Sequence, residues 1–229
     1  MKAIILVGGL GTRLRGVVSD VPKPMAPVHG RPFLSFVLDR LVDTGITGVV
    51  FAAGYRHEAL RAHFGPDYRG LPLDYSIEAE PLGTGGAIRL AWDRLGESEV
   101  LALNGDTYAE VDLRAMQAQH LRARPSLTVA ICHVPDASRY GALDIAGDRI
   151  RGFSEKGRSG PGWINAGVYL LGPGLRESLP PRDPFSFEHD LLGRYVEAID
   201  PLAFRATGRF IDIGTPEDYV QAESLLALR

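Results

Sequence analysis

The 229-residue chain is short of several things, and each shortage excludes something. It has one cysteine, Cys132, so neither an internal disulfide nor a cysteine-built zinc site is available. Its longest apolar run, Ala3–Val7, covers only about a quarter of the roughly twenty residues that a membrane-spanning helix needs. The start, MKAIILVGG, passes from one lysine and that short run straight into glycines. A secretory signal has a longer apolar stretch and a small-residue cleavage site, so the expected location is the cytoplasm and no membrane contact is expected. Charge of one sign is lacking too: the net charge is −3 and the basic residues form no runs, which argues against a nucleic-acid partner. Lysine is scarce. Of 25 basic residues only Lys2, Lys23 and Lys156 are lysines, in a chain that otherwise uses arginine. A compact ammonium and a planar guanidinium do different work, although codon bias alone would leave the same pattern.

What is present is ordinary for a folded α/β protein. Hydrophobic residues at 45% and charged residues at 23% exclude a disordered chain, and the length suits one large domain. Ala3–Val7, Val49–Ala53 and Val100–Leu103 are apolar throughout, the mark of strands covered on both faces. Between them the spacing predicts helices over Phe33–Val42, His57–Phe64 and Gly86–Leu95, the last burying Ala87, Ile88, Leu90, Ala91 and Leu95. Thr12–Val18 could open a short helix, Val21–Arg31 is broken by prolines, and Asp74–Ile77 reads as a further strand. This alternation predicts a Rossmann-like, doubly wound sheet with ligands at the carboxyl ends of its strands. The second half is richer in strands, at Leu127–Val134, Leu143–Ile145, Ile150–Ser154, Trp163–Leu171, Leu202–Ala206 and Phe210–Ile213. A helix over Ser186–Ala198 should turn Phe187, Leu191, Leu192, Tyr195 and Val196 inward. Thr215 followed by Pro216 opens the last helix. His57, His63, His120 and His189 fall on helical segments and are expected at the surface; Cys132 is expected in the core.

The first strand runs into Gly8-Gly9-Leu10-Gly11-Thr12-Arg13. Glycines there let backbone N–H groups cradle phosphate oxygens, though a plain tight turn would use them too. Leu14 stands where a dinucleotide fingerprint needs a third small residue, and Val17 and Val18 stand where a Walker loop needs Lys and Ser or Thr. Arg13 and Lys23 flank the proline-stiffened Pro22–Pro27, an arrangement suited to neutralising a triphosphate.

The segment GGLGTRLRGVVSDVPKPMAPVHGRP resembles the signature of the sugar-1-phosphate nucleotidyltransferases, and the resemblance extends over essentially the whole chain. EPLGTGGA at Glu80–Ala87 is similar to that family's base-recognition loop, and LNGD at Leu103–Asp106 to its metal-binding strand end. Tyr140-Gly141, Glu155-Lys156, Asn165-Ala166-Gly167 and FIDIGT at Phe210–Thr215 match further family motifs. The resemblance implies a GT-A-like α/β mixed sheet, an NTP and a sugar 1-phosphate as small-molecule substrates, and Mg²⁺ as cofactor. It implies Arg13 and Lys23 as catalytic cations, and nucleotide contacts from Leu6, Gly8, Gly9, Gly11, Thr12, Glu80 and Gly85. It implies sugar-phosphate contacts from Gly141, Glu155, Lys156 and Asn165, with Asp106 and Asp212 on the metal. Each aspartate alone would more often be a cap or turn residue, and Glu155 could be a surface acid.

Residues 1–110 are then expected to form the nucleotide half and residues 111–229 the sugar-phosphate half of a single domain. The chain ends fourteen residues after Thr215, so no C-terminal β-helix is expected. Thymidylyl and uridylyl relatives often carry Gln in place of Glu80. A carboxylate suits guanine N1–H and N2–H₂ better, which predicts GTP. The motif wording is most similar to the heptose 1-phosphate guanylyltransferase branch, with mannose 1-phosphate guanylyltransferases and N-acetylmuramate 1-phosphate uridylyltransferases as competitors. A homodimer is expected from the resemblance. A silent, sugar-nucleotide-sensing subunit is the non-enzymatic alternative; such proteins usually lose the Arg, Lys or Asp positions that are intact here.

Overall fold

Because both faces of the first strand are apolar, it has to be covered twice, and it sits in the interior of the sheet. The computed structural model describes residues 1–9, 21–54, 57–154, 159–180 and 184–227. Its main sheet contains β1 (Lys2–Leu6), β2 (Val49–Ala53), β3 (Asp67–Tyr68), β4 (Leu71–Ile77), β5 (Val100–Asn104), β6 (Leu127–Val134), β7 (Ala142–Ala146), β8 (Arg149–Ser154), β9 (Gly162–Leu171) and β10 (Leu202–Arg205). Their spatial order is β7-β8-β10-β6-β9-β5-β1-β2-β4-β3. Neighbours among β5, β1, β2 and β4 are parallel, as the strand–helix alternation predicts, whereas β9 runs antiparallel to both β5 and β6. The sheet is therefore mixed: its four-stranded parallel block comes from the first half of the chain, and β10 adds a parallel pairing with β6 in the second.

Helices α1 (Phe33–Asp39), α2 (His57–Phe64), α3 (Gly83–Leu95), α4 (Leu113–Ala123) and α5 (Pro216–Leu225), with a π-helix over Phe187–Arg194, cover the two faces. Ile5 joins Phe33, Phe64, Met116 and Ala222 in one core; its neighbour Ile4 joins Ile88, Trp92, Phe187 and Leu191 in the other. Period-two alternation along β1 thus feeds two separate cores. Thr215 caps α5 by accepting from Asp218 N, with Pro216 at the first helical position.

Three readings of the sequence are corrected here. The helix predicted from Gly86 starts at Gly83, and its buried row is Ile88, Ala91 and Trp92. Leu90 lies off that i, i+3, i+4 row and is 38% exposed. Helix α4 is the helical segment expected around His120 and given no bounds there; it buries only Met116 and His120 and so has almost no apolar stripe to mark its ends. His120 is not a surface residue: it is buried with a ring nitrogen 2.7 Å from Thr128 Oγ1, and burial holds its pKa down. The helix predicted over Ser186–Ala198 is a π-helix followed by a single α-turn at Val196–Ile199, and Tyr195, at the break, is 43% exposed. The bond from Tyr195 N to Asp190 O spans five residues, which alters the angular spacing on which an inward Tyr195 depended.

Cys132 is buried in β6 with its thiol pushed up to about 12 by desolvation, so it is a packing residue. The predicted helix at Thr12–Val18 lies outside the described residues. No helix among the described residues is long and apolar enough to cross a membrane.

Candidate active site

Beyond the carboxyl ends of β1, β2 and β5 lies a cleft of about 340 Å³, a size that suits a small organic ligand. Leu6, Gly8 and Gly9 form one wall, with Glu78 and Gly83 beside them; Tyr169, Phe187 and Glu188 form another. Its floor needs glycine at one position in particular. A Cβ on Gly105 would stand 2.7 Å from Leu6 O, so only glycine lets the Asn104-Gly105-Asp106 turn press against β1.

Asp106 and Asp212 are 106 positions apart in sequence, and a small antiparallel ribbon brings them together. Phe210–Asp212 pairs with Thr107–Ala109 in a register that sets Asp212 opposite Thr107, and Ile213 N donates to Asp106 O at 3.1 Å. Between the two carboxylates lies Lys23. Its Nζ donates to Asp106 Oδ2 at 2.6 Å and to Asp212 Oδ1 at 3.3 Å. The lysine comes from a short 3₁₀ turn fixed by Pro22 and Pro24, with Met25 N donating to Pro22 O at 2.7 Å. Burial works against the Lys23 charge, but Asp106 and Asp212 more than offset it and hold its pKa above the ordinary value.

Burial, reinforced by the Asp106 charge and opposed by Lys23, pushes the Asp212 carboxyl up to about 6. Metal binding requires the ionised carboxylates. The affinity of the free protein for a divalent ion should therefore hold steady above pH about 6 and fall by about tenfold per unit below it. Titration with Mn²⁺ by electron paramagnetic resonance between pH 5 and 8 checks this; a flat profile would contradict it.

Among the described residues no group of three or more His, Cys, Asp and Glu side chains is assembled as a metal cage. Two carboxylates beside a cleft nevertheless fit a hard cation that takes its remaining ligands from phosphate oxygens and water.

Glu78 and Glu80, two residues apart after β4, are placed differently from each other. Glu78, at the end of β4, is half-buried, lines the cleft, and accepts from Leu82 N through Oε2 at 3.1 Å. Glu80 is exposed and lines an adjoining cavity with His57 and Glu58, which shares Glu78 and Pro81 with the cleft; Glu80 itself is not in the cleft lining. Gly85 is buried beneath Phe185: a Cβ there would meet the ring at 2.0 Å, while Gly83 takes the cleft-side position at φ +72°. Leu6, Gly8, Gly9 and Asp106 line the cleft. Gly141 accepts from Asn165 N at 3.5 Å, and neither residue belongs to the cleft lining. Gly11, Thr12, Arg13, Glu155 and Lys156 lie outside the described residues.

Glu188 is a cleft residue that the sequence reading does not single out. As an acid in a helix's first turn it reads as a surface residue favoured by the helix dipole. In the structure Oε1 accepts from Asn165 Nδ2 at 2.7 Å and from Tyr169 Oη at 3.0 Å, and Asn104 donates to the same carboxylate. Burial raises its pKa against these hydrogen bonds. The π-helix that carries it is a rare element that recurs at functional sites.

The sequence matches the nucleotidyl transferase family over residues 2–228. The chain belongs to that family. This nucleotidyltransferase is 43% identical, over 99% of its length and 98% of the relative's, to the D-glycero-alpha-D-manno-heptose 1-phosphate guanylyltransferase of Aneurinibacillus thermoaerophilus. It is 39% identical to the Campylobacter jejuni protein of the same name, over 96% and 97% of the two chains. The crystal structure of HddC from Yersinia pseudotuberculosis superposes with a TM-score of 0.87 at 38% identity, over 97% of this chain and 98% of that one. HddC has also been solved complexed with GMP-PN, at a TM-score of 0.85 over the same shares. The GT-A-like mixed sheet implied by the sequence motifs is thus the fold of this nucleotidyltransferase.

Proposed function

We propose that this nucleotidyltransferase joins GTP and D-glycero-alpha-D-manno-heptose 1-phosphate to give GDP-heptose and pyrophosphate. The observation that carries the reading is a nucleotide-sized cleft with a carboxylate, Glu78, on its wall and the Lys23–Asp106–Asp212 cluster reached through Asp106. The carboxylate can accept from both N1–H and N2–H₂ of guanine, which favours GTP over pyrimidine nucleotides. The sugar rests on the printed names of relatives matched over nearly their whole lengths.

In the reaction a sugar-phosphate oxygen attacks the α-phosphorus in line, the bond from that phosphorus to the bridging oxygen breaks, and pyrophosphate leaves with the electron pair. No covalent enzyme intermediate is needed, so the protein's work is positioning and charge neutralisation. Leu6, Gly8 and Gly9 border the nucleotide, and Lys23 supplies a fixed positive charge beside the phosphates. Glu188 offers a carboxylate to the sugar hydroxyls. Asp106 and Asp212 would hold Mg²⁺, which supplies charge neutralisation at the phosphate oxygens. Arg13 and Lys156 complete the cationic set on this reading, with Glu155 as a second acceptor for the sugar. On this reading residues up to about 110 serve the nucleotide and the later ones the sugar phosphate. The reaction is placed in the cytoplasm, its product feeding surface-polysaccharide assembly.

Pyrophosphate release tests this, crossing GTP, UTP, dTTP, ATP and CTP with heptose, mannose, glucose and N-acetylmuramate 1-phosphates. Turnover confined to GTP with the heptose phosphate is expected. Preference for UTP with N-acetylmuramate 1-phosphate would overturn both the base and the sugar, and no turnover with any pair would overturn the enzyme itself.

A further inference from the structure

The sequence motif makes Asn165 a sugar contact, yet its amide is used within the protein. Nδ2 donates to Tyr169 Oη at 2.6 Å and to Glu188 Oε1 at 2.7 Å, while Oδ1 accepts from Gly167 N at 3.0 Å. Both amide hydrogens and one oxygen lone pair are taken. The arrangement depends on an irregularity in β9, whose register shifts between Asn165 and Tyr169. Gly167 sits inside that bulge at φ +69°, where a Cβ would stand 2.9 Å from Asn104 Nδ2. Bulges of this kind re-aim side chains beside functional clefts.

Tyr169 is 1% exposed and packs edge-on against Phe187 with ring centroids 4.9 Å apart. Phenylalanine would fill the same volume. The tyrosine hydroxyl adds two bonds, one accepted from Asn165 and one donated to Glu188 Oε1. A glutamate on its own samples many rotamers, and its carboxylate is useful to a ligand only when its direction is set beforehand.

We infer that Tyr169 is a positioning residue of the sugar subsite: its hydroxyl, together with the Asn165 amide, holds Glu188 Oε1 and so sets the carboxylate toward the sugar hydroxyls. The inference rests on the sugar-nucleotide reading above and adds to the determinants of sugar affinity a hydroxyl that acts through the Glu188 carboxylate.

Steady-state kinetics of Tyr169→Phe, with each substrate varied in turn, test it. The KM for the sugar phosphate should rise about tenfold, the size of one hydrogen bond to a charged group, while the KM for the nucleoside triphosphate stays within about twofold. In a Glu188→Gln background Tyr169→Phe should add little, because the hydroxyl acts through the carboxylate. If Tyr169→Phe folds poorly in a thermal melt, Glu188→Asp provides a second route. Its shorter arm cannot reach both the phenol and the Asn165 amide, and the same split in KM is expected.

An unchanged sugar KM would overturn the inference, as would equal losses in both KM values or full additivity with Glu188→Gln. A wild-type enzyme that turns over no nucleotide–sugar pair would instead overturn the functional reading on which it stands.

Discussion

Asp106→Asn and Asp212→Asn each lower kcat by about 10³-fold, roughly 4 kcal/mol of lost transition-state stabilisation, with the fold intact. The two aspartates converge on the Lys23 ammonium beside the cleft, and an amide cannot bring the negative charge that a divalent ion requires. The Asp212 variant has a second signature. Its carboxyl in the folded protein titrates at about 6, above the ordinary carboxylate range, because burial and Asp106 disfavour its charge. For an acid whose folded pKa is raised, the charged form is a load on the folded state at pH 7, and that load is relieved as pH falls through about 6. Asparagine removes the load at every pH. Asp212→Asn should therefore melt at or above the wild-type temperature at pH 7 while activity collapses, a separation expected where a site is built for function at a cost in stability. Calorimetric melting alongside pyrophosphate release decides it. A melting temperature several degrees lower would mean that the carboxylate is structural, and retained activity would move the metal site elsewhere.

Glu78→Gln should lower kcat/KM for GTP by about 10²-fold, near 3 kcal/mol, and narrow the gap to UTP and dTTP. The glutamate accepts from Leu82 N through Oε2, which steadies the carboxylate against the wall of the cleft. An amide in its place offers one acceptor where guanine presents two donors side by side, and its NH₂ opposes a donor edge. Glu80→Gln is the matched control. Glu80 is exposed on the neighbouring cavity, so its change to glutamine should leave kcat/KM within about twofold. The reverse outcome, a large loss at Glu80 and none at Glu78, would return base recognition to the residue that the sequence motif points to.

These two acids mark the limit of reading a motif without coordinates. Glu78 and Glu80 are two positions apart, so strand alternation puts them on the same face and cannot rank them. The end of β4 at Ile77 and the turn held by the Leu82 N bond separate them, and no composition rule carries that information. Glu188 was hidden for a different reason, since acids in a helix's first turn are common on surfaces. The π-helix that aims it into the cleft has no sequence signature comparable to the 3.6-residue stripe. Tyr169 and Asn165 read as an ordinary strand tyrosine and a motif asparagine until the bulge in β9 shows them bonded to each other.

The sequence by itself determined the strand–helix alternation of the first half, because strands apolar on both faces can be stable only inside a layered α/β sheet. It determined the family as well, through motifs spread along the chain, and it named Lys23, Asp106 and Asp212 as the charged residues of interest. Tertiary structure alone decided that these three meet, since the ribbon register of Asp212 against Thr107 joins segments more than a hundred residues apart. It decided the direction of β9, the burial of His120 and the inward aim of Glu188, because each depends on which element lies alongside. Local pattern records what a residue prefers to face; only the packed chain fixes what it faces.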